Sequence, residues 1–161
     1  LNLDRNDLTS LPENLNLPGL EYLNLDRNDL TSLPENLNLP GLEYLYIQDN
    51  DLTSLPENLN LPSLEQLHLE KNNLTSLPEN LNLPSLELLD LNNNQLTTIP
   101  ESIVNLNHLS KLYLYSNTLT SLPSNFCDFE HYILINMSDN MLCEEYHYDC
   151  IDHWEPQSCS E

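Results

Sequence analysis

LNLDRNDLTSLPENLNLPGLEY, residues Leu1–Tyr22, recurs without a change as residues 23–44 and then with substitutions from Leu45, Leu67, Leu89, Leu112 and Ile135. The step is 22 residues four times and 23 residues twice. Self-similarity at a fixed period of this size signals a stacked solenoid, in which each unit packs on its neighbours. Within each unit the register is L-x-L-x-x-N-x-L, written out as LNLDRNDL (twice), LYIQDNDL, LHLEKNNL, LDLNNNQL, LYLYSNTL and INMSDNML.

That register resembles the leucine-rich repeat family over residues 1 to about 142, and seven copies in phase make the resemblance specific. It implies an α/β repeat solenoid, a right-handed coil with a parallel concave β-sheet and a convex side of 3-10 turns or short helices. From residue 89 the units read IPESIVNLNHL and LPSNFCDFEHYIL, similar to secreted or plant-like repeats with a short convex helix. The family resemblance also implies a non-enzymatic role in protein binding.

The residues carry their own reading. At 161 residues the chain suits one domain, with repeats starting at 1, 23, 45, 67, 89 and 112, a partial repeat at 135–142, and a cysteine-stapled C-terminal cap at 143–161. Apolar and polar residues alternate over the first five positions of each unit, as in a strand with one buried face. Leu1 and Leu3, Leu23 and Leu25, and Leu45 and Ile47 therefore point inward, on a sheet of six or seven strands. Position 6 is Asn in every unit: Asn6, Asn28, Asn50, Asn72, Asn94, Asn117 and Asn140. An amide both donates and accepts, so this column is expected to bridge buried turns of successive units. Ser10/Glu13, Ser32/Glu35, Ser54/Glu57, Ser76/Glu79 and Thr98/Glu101 read as capping boxes of short convex helical turns, which explains the Glu column without calcium.

Four basic residues against 26 acidic ones give a net charge of −22, a field that repels nucleic acid and anionic membranes. No apolar run is long enough to span a bilayer as a helix. The chain starts inside a strand with neither leader nor initiator Met, and is expected to be a mature, trimmed or engineered form. Its first repeat should expose an apolar edge prone to self-association through residues 1–22, which light scattering at high concentration tests.

All four Cys lie in the last 35 residues, as in a stapled cap from an oxidising compartment, so an extracellular or secreted protein is expected. The sequon at Asn73 agrees with secretion, whereas that at Asn136 falls inside the last strand. Cys127 and Cys150 are separated by 23, one unit, so a cap that follows the coil stacks them and pairs Cys127–Cys150 and Cys143–Cys159. The rival is a zinc site at Cys143, His147, Cys150 and His153, which would leave Cys127 and Cys159 as free thiols. After Asn140 the repeat pattern stops, with Tyr146 and Trp154 covering the last layer of core.

Units 1 to 4 share the frame LTSLPENLNLP, and vary at outward strand positions and the two residues after them. The four basic residues, Arg5, Arg27, Lys71 and Lys111, all fall at these positions, as do five of the eight Tyr. Tyr and Arg dominate the energetics of protein interfaces. The expected site is therefore a concave face of Tyr22, Tyr44, Tyr46, Gln48, His68, Glu70, Lys71, Asp90, Lys111, Tyr113 and Tyr115, binding a partner protein. β-propensity alone also favours Tyr there. The identity of the first two units offers an alternative, a consensus scaffold with no natural ligand. A second alternative is a cation- or saccharide-binding module using Asp4, Asp26, Gln48, Glu70 and Asp90. Catalytic motifs are lacking, and His68, Glu70 and Asp90 are expected to be exposed, with no burial to tune them. No metal or cofactor is assigned.

Overall fold

The structure, a computed structural model, describes residues 1–159. Each strand is only three residues long and starts one position before the first inward leucine. They are β1 (Tyr22–Asn24), β2 (Tyr44–Tyr46), β3 (Gln66–His68), β4 (Leu88–Asp90), β5 (Lys111–Tyr113) and β6 (Leu134–Asn136). They form one parallel sheet in chain order, with partners one unit apart, such as Tyr46↔His68↔Asp90. The right-handed coil follows the usual hand of parallel crossovers. Among the described residues the sheet has six strands, because the first unit joins it only through the bridge Asn2↔Asn24.

A sharp bend ends each strand. Arg5, Arg27, Asp49, Lys71, Asn93, Ser116 and Asp139, the fifth residue of every unit, adopt φ between 53° and 57°. This left-handed conformation costs a residue with a Cβ roughly 1 kcal/mol. In return the bend aims its amide at the next unit: Arg27 N donates to Gln48 O at 2.9 Å and Lys71 N to Asn92 O at 2.9 Å.

Inside the coil the first, third and eighth positions build three leucine columns. Leu45, Leu67 and Leu89 are each 1% exposed, and Ile47, Leu69, Leu91, Leu52, Leu74 and Leu96 are fully buried. The bend leaves backbone groups inside this apolar interior, where unpaired they would be costly. The Asn column serves them. Asn72 Nδ2 donates to Ile47 O of the preceding unit (2.9 Å) and to Leu69 O of its own (3.0 Å), while its Oδ1 accepts from Leu52 N (3.0 Å). Asn28, Asn50, Asn94, Asn117 and Asn140 repeat the pattern, and all six are buried. Asn6 is exposed and bonds only within its own unit, to Leu3 O and Asp4 O.

The convex side departs from the capping-box expectation. In the first and third units the Pro opens a single turn, closed by Leu15 N to Pro12 O and Leu59 N to Pro56 O, both at 3.1 Å. The fifth unit has a short 3-10 helix there, Glu101–Asn105, which starts from extended Pro100 with no side-chain cap, so Thr98 and Glu101 form no box; another, Glu144–Tyr146, opens the cap.

The cap corrects a second expectation, that the pattern stops after Asn140. Residues 152–157, Asp-His-Trp-Glu-Pro-Gln, make one more abbreviated turn of the coil. His153 pairs in parallel with Asn136, and Met137 N donates to His153 O at 2.7 Å. Trp154 occupies the inward third position and is 5% exposed. Gln157 stands where the next Asn would, its Nε2 donating to Met137 O (2.7 Å) and Trp154 O and its Oε1 accepting from Leu142 N (3.2 Å). Two disulfides fasten this turn: Cys127–Cys150, with Cα atoms 5.8 Å apart, and Cys143–Cys159, at 5.0 Å. Both cysteines of the zinc alternative are thus bonded to other cysteines, which removes its thiolates. At the opposite end Leu1 and Leu17 are 50% and 36% exposed.

Candidate functional site

The short strands project positions 0, 2 and 4 of each unit onto the concave face, because side chains alternate across a strand. All the residues expected to bind lie there or on the bend beside it, but they divide into groups with different surroundings. Tyr22, Tyr46 and His68 form a stacked series over three units. The Tyr22 and Tyr46 rings are 5.3 Å apart and tilted by 42°, and the Tyr46 and His68 rings are 4.6 Å apart and nearly parallel. In-register pairing causes this, since it sets Tyr46 beside His68. Tyr44 is turned aside: its hydroxyl donates to Glu65 Oε2 at 3.0 Å, a contact that raises its pKa.

On the bends, Lys71 Nζ lies 3.9 Å and Arg27 Nε 3.5 Å from Asp49 Oδ2, so both cations lean on one exposed carboxylate. Exposed pairs of this kind contribute little to stability. Farther along the face, Lys111 and Tyr115 are exposed and Tyr113 is half-buried. Tyr113 stands between Asp90 and Asn136 in the strand register.

The centre of the face overturns the expectation of exposed, untuned groups. The His68 and Glu70 side chains are only 18% and 23% exposed, and Asp90 is half-buried. His68 Nδ1 faces Glu70 Oε2 at 3.7 Å, while its Nε2 meets Gln66 Oε1 at 3.4 Å. Asp90 Oδ1 accepts from Asn92 N at 3.0 Å. Burial pushes the Asp90 carboxyl up to about 6, and the Glu70 charge adds to that shift. Asp26 is likewise raised to about 6 by burial, against the hydrogen bond from Gln48 N (3.2 Å) that favours its ionised form. The cause is the close spacing of neighbouring units on a sheet whose strands are only three residues long, which crowds second- and fourth-position side chains together. Periodicity alone gives no measure of that crowding. Gln66, which orients His68, was visible only as one more variable position.

A family model described as leucine rich repeat matches residues 18–74, 40–96 and 62–119, together well over half of the chain. The chain belongs to the leucine-rich repeat family. Among solved structures, this leucine-rich repeat coil is similar to a chain of the Toll–Spatzle complex of Drosophila, at 28% identity and a TM-score of 0.79, covering 88% of this chain and 20% of that one. It also resembles InlP of Listeria monocytogenes (33% identity, TM-score 0.73, 91% of this chain and 43% of that one). YopM, a leucine-rich effector protein of Yersinia pestis, is similar at 33% identity and a TM-score of 0.65, over 89% of this chain and 44% of that one. The repeats described here therefore span less than half the length of each of these proteins. No curated protein matches the chain.

Leucine-rich repeats are commonly protein-interaction modules and are typically not enzymes. The two disulfides agree with an extracellular protein, and among the described residues no helix is long and apolar enough to cross a membrane. This leucine-rich repeat face has an aromatic series and bends whose φ varies only from 53° to 57° between units.

Proposed function

We propose that the chain is an extracellular, non-enzymatic module whose concave face binds a partner protein. The carrying observation is the Tyr22–Tyr46–His68 series, with Tyr113 and Tyr115 on the same face beyond Asp90. Large, rigid aromatic groups held in place before contact lose little conformational freedom on binding. Tyr46 and Tyr113 serve as anchors, and Glu70, Lys71 and Lys111 set orientation. Tyr44 is a weaker anchor than its position suggests, because Glu65 already holds its hydroxyl.

The charge of −22 selects a basic partner. Electrostatic complementarity of this kind acts mainly on association rate and is screened by salt. That one neighbour is a chain of the Toll–Spatzle complex supports protein recognition by this fold, without naming this chain's partner. The whole of residues 1–161 acts as one domain in this reading.

The test is capture from extracellular protein of the source, using the native chain and a Tyr113→Ala/Tyr115→Ala variant. A basic protein held by the native chain, lost from the variant and weakened by salt is the expected result. Identical capture by both chains, or none by either, refutes recognition by this face.

A further inference from the structure

One cluster at the centre of the concave face has a chemistry that aromatic recognition does not use. His68 on β3 and Asp90 on β4 are paired in register, and Glu70 lies two residues beyond His68 on the same face. A ring nitrogen of His68 and one carboxylate oxygen from each of Glu70 and Asp90 lie within 4.8 Å of one another. We propose that His68, Glu70 and Asp90 bind one divalent cation of the first transition row, with zinc the best fit.

Distance is the first argument. His68 Nδ1 and Glu70 Oε2 are 3.7 Å apart, too far for a hydrogen bond. Two ligands each about 2.0–2.2 Å from one zinc ion, at a tetrahedral angle, stand about 3.4 Å apart. The observed gap is within a small rotamer adjustment of that span.

The tautomer is the second. Gln66 Oε1 can accept only from a protonated Nε2, the nitrogen it meets at 3.4 Å. In neutral His68 this leaves the Nδ1 lone pair aimed at Glu70, an arrangement of two acceptors that asks for a cation between them. An outer acceptor that orients the imidazole is the usual support of a ligating histidine.

The third is an orphaned atom. Glu70 Oε2 has no access to solvent and no hydrogen-bond partner, and Gln48 Oε1, at the same position of the neighbouring unit, is in the same state. A buried acceptor left unpaired is costly, and more so when charged. Among the described residues no lysine or arginine relieves it, and Lys71 and Arg27 both turn to Asp49. Burial is the main cause of the raised Asp26 and Asp90 carboxyls, and the Glu70 charge adds to both.

One imidazole with two carboxylates favours zinc, cobalt or nickel, whereas calcium prefers six to eight oxygens. The partial exposure of His68 and Glu70 leaves the outward coordination position open to water or to a ligand group. The site stands whether or not the face binds a protein.

The test uses the whole chain with its disulfides intact. Calorimetry with Zn²⁺ alone, and visible absorption with Co²⁺ alone, should each report one equivalent, with calcium far weaker. Affinity should fall on acidification, because each ligand atom must be free of its proton to hold the ion. His68→Gln should weaken Zn²⁺ at least about 100-fold and Asp90→Asn at least about 10-fold. His147→Gln, which removes the separate cap pair with Glu144, should change nothing. NMR of the native chain gives a reading free of folding effects: Zn²⁺ should move the His68 ring signals and leave those of His147 in place. Absence of one-to-one binding, or binding that survives His68→Gln, overturns the proposal.

Discussion

Asn72→Ala tests the inner scaffold most sharply, and its cost follows from counting which groups lose every partner. Three backbone groups bond to the Asn72 side chain: Leu52 N, Ile47 O and Leu69 O. The two carbonyls are shared, since Asn50 also donates to Ile47 O (3.2 Å) and Asn94 to Leu69 O (3.0 Å). Only Leu52 N is left with nothing, and an unpaired buried donor costs about 1–3 kcal/mol. Two weakened carbonyls add about 0.5 kcal/mol each or a little more, for a total of about 2–4 kcal/mol. Asn6→Ala orphans no amide, because no amide donates to Asn6 Oδ1, and Leu3 O keeps its bond from Asn28. It should cost less than about 1 kcal/mol. Urea unfolding followed by circular dichroism measures both. The shared carbonyl makes a further point: Asn50→Ala/Asn72→Ala strips Ile47 O completely, so the pair should cost more than the sum of the singles. Equal losses for Asn6 and Asn72, or strict additivity for Asn50 with Asn72, would refute the sharing scheme.

Two other outcomes follow from the cap and the concave carboxylates. Cys127→Ser/Cys150→Ser opens a loop of 23 residues and should lower stability by about 3 kcal/mol, with Trp154 emission shifting towards that of a solvated indole; unchanged emission would show that the bond does not hold Trp154 in place. The Asp26 and Asp90 carboxyls rise from an ordinary 3.8 to about 6, so the folded chain binds protons more tightly than the unfolded one. Their burial therefore destabilises above about pH 6, and the melting temperature should climb as pH falls from about 7 towards 4. Asp90→Asn, which keeps the Oδ1 acceptor for Asn92 N, should melt higher than the native chain at pH 7.5 in chelator and gain less on acidification. A pH profile parallel to the native one would contradict burial as the cause.

The coil was legible in the sequence because its period is a property of the chain itself: a 22-residue step and an invariant Asn force register without any knowledge of packing. What periodicity misses is the close spacing of side chains between units. The strands are shortened by left-handed bends, and at Arg27 and Lys71 the residue type gives little warning of positive φ. Crowding of neighbouring units then buries part of Asp26, Glu70 and Asp90, which hydrophilicity alone had placed in solvent. Gln157 was hidden for another reason. It reproduces an Asn from a shorter loop with a longer side chain, so the function persisted while the residue type and spacing both changed. The Cys spacing carried the same stacking in plainer form, since 23 residues is one turn.

Gln157 and Trp154 carry the Asn and inward-leucine columns into the disulfide-bonded turn, and residues 1–22 and 23–44 are interchangeable modules. From Asn28 to Asn140, each Asn side chain of the column bonds only within its own unit and to the unit before it. Another copy of the 22-residue module, spliced at the boundary between residues 22 and 23, would meet neighbours indistinguishable from those already there. The reach of the inner surface could then be lengthened in increments of about 4.8 Å while the disulfide-bonded terminus stays as it is.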